Sequence, residues 1–194
     1  MEVNTKRKKE VLNAALTLFR HRGYESTSMR QLAKELNLEV ASLYSHISAK
    51  SDLLEVICFG MADKFLLGAK EVNDIYFNAE EKLRMYIANH ISLLTQNMDS
   101  SIVFLRDWRF LPDDKKEQFV ELRNKYEDGI REIIETGISE HVFNPSDIKM
   151  ATLTILSSLN WVVEWYKPEG SLTPQEIAND LSNFILNGLK KNNL

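Results

Sequence analysis

The chain has 194 residues but only one cysteine, four prolines and seven glycines, and each shortage excludes something. With Cys58 alone there is no internal disulfide and no cysteine-built metal cluster, so a reducing, cytoplasmic setting is expected. Between Ile57 and Phe59 the thiol reads as a small buried hydrophobe rather than a reactive group. Glycine and proline together reach about half of their ordinary share of roughly 12%, which argues against a fold made of many tight turns. No apolar run approaches the roughly 20 residues of a membrane span, so no membrane partner is expected. Lys6 to Lys9 followed by Val11 to Phe19 superficially resembles a secretory leader. However, Arg20-His21-Arg22 stands where a cleavage site belongs, and Asn13 sits within a 3.6-residue apolar pattern. A glycine-rich phosphate loop, an HExxH pair, a CxxC pair and a nucleophile elbow are all missing. Ser146-Asp147-Ile148-Lys149 fits a Ser-x-x-Lys pattern without a companion motif, and the four histidines are scattered. No enzymatic activity, metal or cofactor is expected.

Present instead are 44% hydrophobic and 27% charged residues, enough for a real core in one or two domains. The net charge of −4 at first argues against a nucleic-acid partner, but the charges are unevenly spread. Residues 1–50 carry nine Lys and Arg against five Asp and Glu, a balance of +4, and the remainder stands at −8. A basic end on an acidic body is a pattern of nucleic-acid-binding proteins, although Lys6-Arg7-Lys8-Lys9 reads equally as a solvated terminus.

Hydrophobic periodicity predicts an all-α fold of about nine helices. The first, about Thr5 to His21, aligns Val11, Leu12, Ala15, Leu16, Leu18 and Phe19 and stops at Gly23. Thr27-Ser28 supplies N-cap chemistry for a short second helix, Met29 to Leu36, with Met29, Leu32, Ala33 and Leu36 inward. Asn37 tolerates the left-handed conformation, so Asn37-Leu38-Glu39 reads as a tight turn into a third helix, about Val40 to Ile47. That helix has one clear core anchor, Leu43, among short or hydrogen-bonding residues and no carboxylates, which suits entry into a DNA groove. The pair therefore fits a helix-turn-helix, while periodicity alone also fits two loop-connected core helices. Further helices are predicted over 50–72, 80–97, 100–110 and 113–137. Two more begin at explicit signals: an Asn144 cap with Pro145, and the capping box Thr173-Pro174-Gln175-Glu176. All four prolines fall at helix boundaries.

Gly23-Tyr24, Thr27-Ser28, Leu32-Ala33, Leu43-Tyr44, His46 and Lys50 with Asp52-Leu53-Leu54 together resemble the signature of the TetR family of bacterial transcriptional regulators. The resemblance implies a helix-turn-helix DNA-binding domain over 1–49 and a helical ligand-binding and dimerisation domain over 50–194. It further implies a cytoplasmic, nucleoid-associated homodimer that represses from a pseudo-palindromic operator and is released by a small-molecule effector. By the same resemblance Thr27 and Ser28 meet phosphate at a helix N-terminus, Tyr44 and His46 touch the DNA backbone, and Lys50 pairs with phosphate. Val40, Ala41, Ser42 and Ser45 take base-reading positions; Ser45 stands where many relatives carry a second aromatic. Arg30 is the candidate for a bidentate guanine contact, against an ordinary surface arginine.

The segments Arg106-Asp107-Trp108-Arg109, Tyr126, Asn160-Trp161, Trp165 to Gly170 and Leu186 to Leu189 resemble TetR regulators of fatty-acid and steroid catabolism, which sense acyl-coenzyme A thioesters. That resemblance implies an apolar pocket edged by Phe104, Trp108, Tyr126, Trp161 and Trp165. Arg106, Arg109, Arg123 and Lys125 would meet coenzyme A phosphates at its mouth. The same aromatics at helical spacing equally suit core or dimer packing. Ile148, Leu153, Leu156, Leu159, Trp161, Val163, Ile177, Leu181, Phe184, Ile185 and Leu189 exceed what one edge of a small bundle hides, so the last two helices are expected to pair with a second copy. The alternative function is a TetR-like DNA-binding adaptor without an inducer.

Overall fold

The computed structural model describes residues 2–190. Its helices are α1 (Glu2–Arg22), α2 (Met29–Glu35), α3 (Val40–Tyr44), α4 (Lys50–Asn73), α5 (Ala79–Gln96), α6 (Met98–Asp107), α7 (Asp113–Ser139), α8 (Ile148–Asn160), α9 (Val162–Trp165) and α10 (Pro174–Leu189). A 3₁₀ turn, Trp108–Phe110, follows α6. Counting the one-turn α9 with α8, from which only Trp161 separates it, gives nine helices among the described residues. No strand occurs among them, only an isolated bridge between Phe143 and Lys190. The all-α expectation holds.

Packing divides the chain into two compact units. The first takes residues up to Met61 together with Met98–Val120, and the second takes Ala62–Asn97 and Glu121–Leu194. This division differs from the boundary expected at residue 50: α6 and the start of α7 pack with the basic N-terminal segment.

In the first unit the apolar stripe of α1 buries Val11, Ala15 and Phe19 completely, and Leu32, Ala33, Leu43, Leu54 and Cys58 are buried in the same unit. Cys58 is held as the small hydrophobe its neighbours suggested, and burial pushes its thiol up to about 12, far from any reactive thiolate. Helix α1 ends at Gly23, whose φ of 84° is the left-handed conformation that a Cβ disfavours; its amide donates to Phe19 O at 2.8 Å. Helix α2 ends in the same way without glycine. Asn37 adopts φ 53°, its amide donates to Lys34 O, and the Leu38 amide reaches back to Ala33 O at 2.8 Å. Those two bonds form a Schellman motif and turn the chain into α3.

Three expectations need correction. Helix α3 is five residues long, because Ser45 already serves as its C-cap; the chain from His46 to Ala49 leads instead into α4, with Asp52 Oδ2 accepting from the Ser48 and Ala49 amides. Met29 and Leu36 are only half-buried, leaving Leu32 and Ala33 as the buried residues of α2. The α8 cap is Asp147, which accepts from the Met150 amide at 2.7 Å, and not Asn144. Asn144 is spent elsewhere, its amide donating to Leu189 O in the bridge that ties the α7–α8 loop to the end of α10.

The second unit is built on the buried stripe of α5, Leu83, Tyr86, Ile87, His90, Ile91 and Leu94, with Ile130 and Ile134 of α7, Leu159 of α8 and Leu186 of α10. Helices α5 and α10 start with complete capping boxes, Asn78 with Glu81 and Thr173 with Glu176. The second of these boxes is the one expected from sequence.

Candidate nucleic-acid interface and effector-binding residues

The N-terminus of α2 is a well-defined element of the candidate interface. Ser28 Oγ accepts from the Gln31 amide, and Gln31 Oε1 accepts from the Ser28 amide at 2.7 Å, a reciprocal capping box. Ser28 is exposed, and Arg30, two residues further on in the first turn of α2, is exposed as well. Thr27 differs: its side chain is buried, and its hydroxyl donates to Gly23 O at 2.8 Å. Its amide donates to Tyr24 O at 3.1 Å, so both donors of Thr27 are committed within the protein and the phosphate contact expected of its hydroxyl is not what this buried residue offers.

Helix α3 buries Leu43 completely and exposes Ala41, Ser42 and Tyr44, with Ser45 exposed at its C-cap and Val40 half-buried. Its exposed surface is thus short side chains and hydroxyls around one aromatic ring, a surface slim enough for a groove. His46 is half-buried, and its Nδ1 is buried without a hydrogen-bond partner. It lines a cleft of roughly 430 Å³ with Lys8, Lys9, Leu12, Ile47, Ser48, Asp52, Leu53 and Val56. Lys50, at the start of α4, donates from Nζ to Tyr24 O and Thr27 O, both at 2.8 Å, and its ammonium lies 4.1 Å from the centre of the Tyr24 ring.

The residues proposed for an effector divide between the two units. Phe104 and Trp108 belong to the first, where both pack on the buried Phe119, edge-on at 5.4 Å and tilted at 5.7 Å between centroids. The guanidinium of Arg109 lies over the Trp108 ring at 5.0 Å. Arg123, Tyr126, Trp161 and Trp165 belong to the second. There Tyr126 is buried, Arg123 is exposed, and Trp161 is 66% exposed.

Around Tyr126 the second unit holds a polar cluster that periodicity did not single out. Tyr86 donates its hydroxyl to Tyr126 O at 2.7 Å. His90, 2% exposed, has Nδ1 2.9 Å from the Tyr126 hydroxyl and Nε2 3.2 Å from Asn160 Oδ1. Because Asn160 Oδ1 only accepts, Nε2 carries the proton and Nδ1 accepts from the Tyr126 hydroxyl. Burial lowers the imidazole to about 3, so His90 is neutral, with the Asn160 hydrogen bond opposing that fall. Burial also raises both tyrosine hydroxyls. Phe65 closes the cluster, 4.8 Å from the His90 ring. The available signal was a histidine in an otherwise apolar stripe, which demands buried partners; no spacing rule points to Asn160, seventy residues away.

A capped helix, a left-handed turn and a second short helix with a single core anchor define a helix-turn-helix DNA-binding protein. The comparisons give the particular family. Residues 11–57 match the model of bacterial regulatory proteins of the tetR family, and residues 77–189 match that of the tetracyclin repressor-like C-terminal domain. The chain belongs to the TetR family of transcriptional regulators, and the family's members are regulators rather than enzymes. It is 24% identical over 192 residues to the HTH-type transcriptional repressor KstR2 of Mycobacterium tuberculosis, covering 98% of this chain and 96% of that protein. The TetR family regulator PfmR from Thermus thermophilus superposes with a TM-score of 0.83 at 28% identity, over 93% of this chain and 99% of PfmR. AibR, solved in complex with isovaleryl coenzyme A and operator DNA, superposes with a TM-score of 0.82 at 29% identity, over 92% and 97% of the two chains. Among the described residues no helix is long and apolar enough to cross a membrane.

Proposed function

We propose that the chain is a ligand-responsive repressor that binds a pseudo-palindromic operator as a homodimer and releases it when an acyl-coenzyme A thioester, or a related small apolar molecule, occupies the region after residue 50. The observation that carries this reading is the similarity to AibR along nearly the whole of both chains, since AibR binds both isovaleryl coenzyme A and operator DNA. The DNA-binding domain in this reading is 1–49. Ser28, Arg30, Val40, Ala41, Ser42, Tyr44, Ser45, His46 and Lys50 form its interface, with the buried Thr27 holding the turn that precedes Ser28. The ligand-binding and dimerisation domain is 50–194, with Phe104, Trp108, Arg109, Arg123, Tyr126, Trp161 and Trp165 as effector contacts. The protein acts in the cytoplasm, on the nucleoid.

Dimerisation has its own support. Met150, Leu153 and Trp161 are 61%, 38% and 66% exposed on or at the end of α8, and Phe184 of α10 is 79% exposed. Large apolar side chains gathered on two helices favour a partner of the same character. Two copies would present their α3 helices to successive major grooves about 34–36 Å apart.

The test is selection of an operator from random duplex DNA, followed by anisotropy titration of the complex with thioesters from isovaleryl to palmitoyl coenzyme A. Recovery of an inverted repeat and release by one thioester class support the reading. Recovery without release by any of them favours the adaptor alternative. Failure to select any DNA would remove the regulator reading altogether.

A further inference from the structure

Residue 50 is a lysine at the first position of a helix, where the resemblance assigns it to a DNA phosphate. The structure spends that ammonium on the protein itself. Tyr24 to Thr27 form a turn closed by the Thr27 amide donating to Tyr24 O at 3.1 Å. Lys50 Nζ donates to the carbonyls at both ends of this turn, Tyr24 O and Thr27 O, and rests on the face of the Tyr24 ring. Two of its three protons are thereby committed, and its charge is matched by two carbonyl dipoles and an aromatic face. Desolvation lowers the Lys50 pKa while the Glu25 carboxylate raises it.

The same turn is gripped from α6. The Tyr24 amide donates to Asp107 Oδ2 at 3.3 Å, and Asp107, 2% exposed, is neutralised by Arg106 through Nε and Nη2, each at 2.9 Å. The Tyr24 ring stacks on Phe110 at 5.7 Å and meets Phe19 edge-on at 5.1 Å. The residue after the turn is Ser28, the N-cap of α2. The position of the α2 N-terminus is therefore set by this turn, and the turn is held by a cation from α4 and a carboxylate from α6.

We propose that Lys50 is a positioning residue for DNA binding, acting through the Tyr24–Thr27 turn in concert with Asp107, and is not itself a phosphate contact. This rests on the DNA-binding reading above and refines the role of one residue in it. Lys50→Met should weaken operator binding by about tenfold or more, because two carbonyls lose their donor and the turn relaxes. The slope of log affinity against log salt should change by less than about half a unit, since no counterion-releasing contact is lost. A fall in slope by about half a unit or more, towards the roughly 1.8 expected when each of two protomers loses one phosphate contact, would overturn the proposal. Asp107→Ala should weaken binding in the same way, and the double variant should lose less than the product of the two single losses, because both hold one turn. Simple multiplication of the losses would count against it. Amide hydrogen exchange in the absence of DNA provides a separate reading: Lys50→Met should accelerate exchange at the Thr27 amide while that of Leu83 to Leu94 in α5 stays as in the parent protein. An unchanged Thr27 amide refutes the clamp even if the protein proved to bind no DNA, and a parent protein that selects no operator refutes the regulator reading alone.

Discussion

The exposed surfaces of α3 and of α8 with α10 are opposites built from the same secondary structure. On and beside α3, Leu43 is buried and Ala41, Ser42, Tyr44 and Ser45 are exposed; on α8 and α10, Met150, Leu153 and Phe184 face solvent, with Trp161 at the α8 C-cap. One surface offers hydroxyls and slim side chains to a hydrated, charged partner, and the other offers large apolar groups that gain most by leaving water. Exposure alone thus says little about a helix's partner; the chemistry of what is left exposed decides it. The net charges run in parallel, +4 over residues 1–50 and −8 over the rest.

Mutations break this contrast in graded ways. The largest effect is expected at Leu43→Ala, which removes the one buried anchor of a five-residue helix and should cost about 2–5 kcal/mol in thermal or denaturant unfolding, with loss of operator binding. Tyr44→Ala beside it should change stability by less than about 0.5 kcal/mol while still weakening DNA binding. On the apolar surface, Trp161→Glu with Phe184→Glu should convert the proposed dimer to a monomer by light scattering at micromolar concentration. Operator affinity should fall by roughly 100-fold as the two half-sites are no longer read together, with the circular dichroism spectrum unchanged. A double variant that stays dimeric would remove the role given to this surface.

Smaller in size but sharper in kind, Arg30→Ala should relax discrimination at one base position by about 1–3 kcal/mol, measured by affinity for single-substituted operators. A uniform loss across all operators would reassign Arg30 to the backbone. In the second unit, His90 is neutral when folded, with its pKa depressed to about 3 from an ordinary 6.5. Its contribution to stability is complete above pH 6.5 and is lost as the pH falls towards 3, because only the unfolded chain takes up the proton over that range. Near pH 5.5 the loss is on the order of 1 kcal/mol, and His90→Gln should flatten the dependence of unfolding free energy on pH between about 7 and 5.

What could be read in advance follows the range of the interactions. Asn37 as a left-handed turn residue, the capping box at Thr173 and the stripe of α5 are local, each decided within a few residues by steric or hydrogen-bonding rules. The shortened α3 and the Asp147 cap lie at helix ends, where Asn144 and Asp147 are both capping residue types and apolar periodicity does not fix the terminal turn. The effector residues were least legible. Tryptophans at helical spacing have the same pattern whether they pack, pair or line a pocket, and here Phe104 and Trp108 pack on Phe119 while Trp161 is exposed.

By itself the sequence determined an all-α chain, the helix-turn-helix with its basic balance, and the TetR resemblance, because periodicity, caps and short motifs act over one or two turns. Only the tertiary structure decided the partners of groups far apart in the chain. It set Lys50 against Tyr24 and Thr27, Asp107 beneath the same turn, and His90 between Tyr126 and Asn160. These enclosed polar groups take their partners where packing brings them, and no local rule says where along the chain such a partner lies.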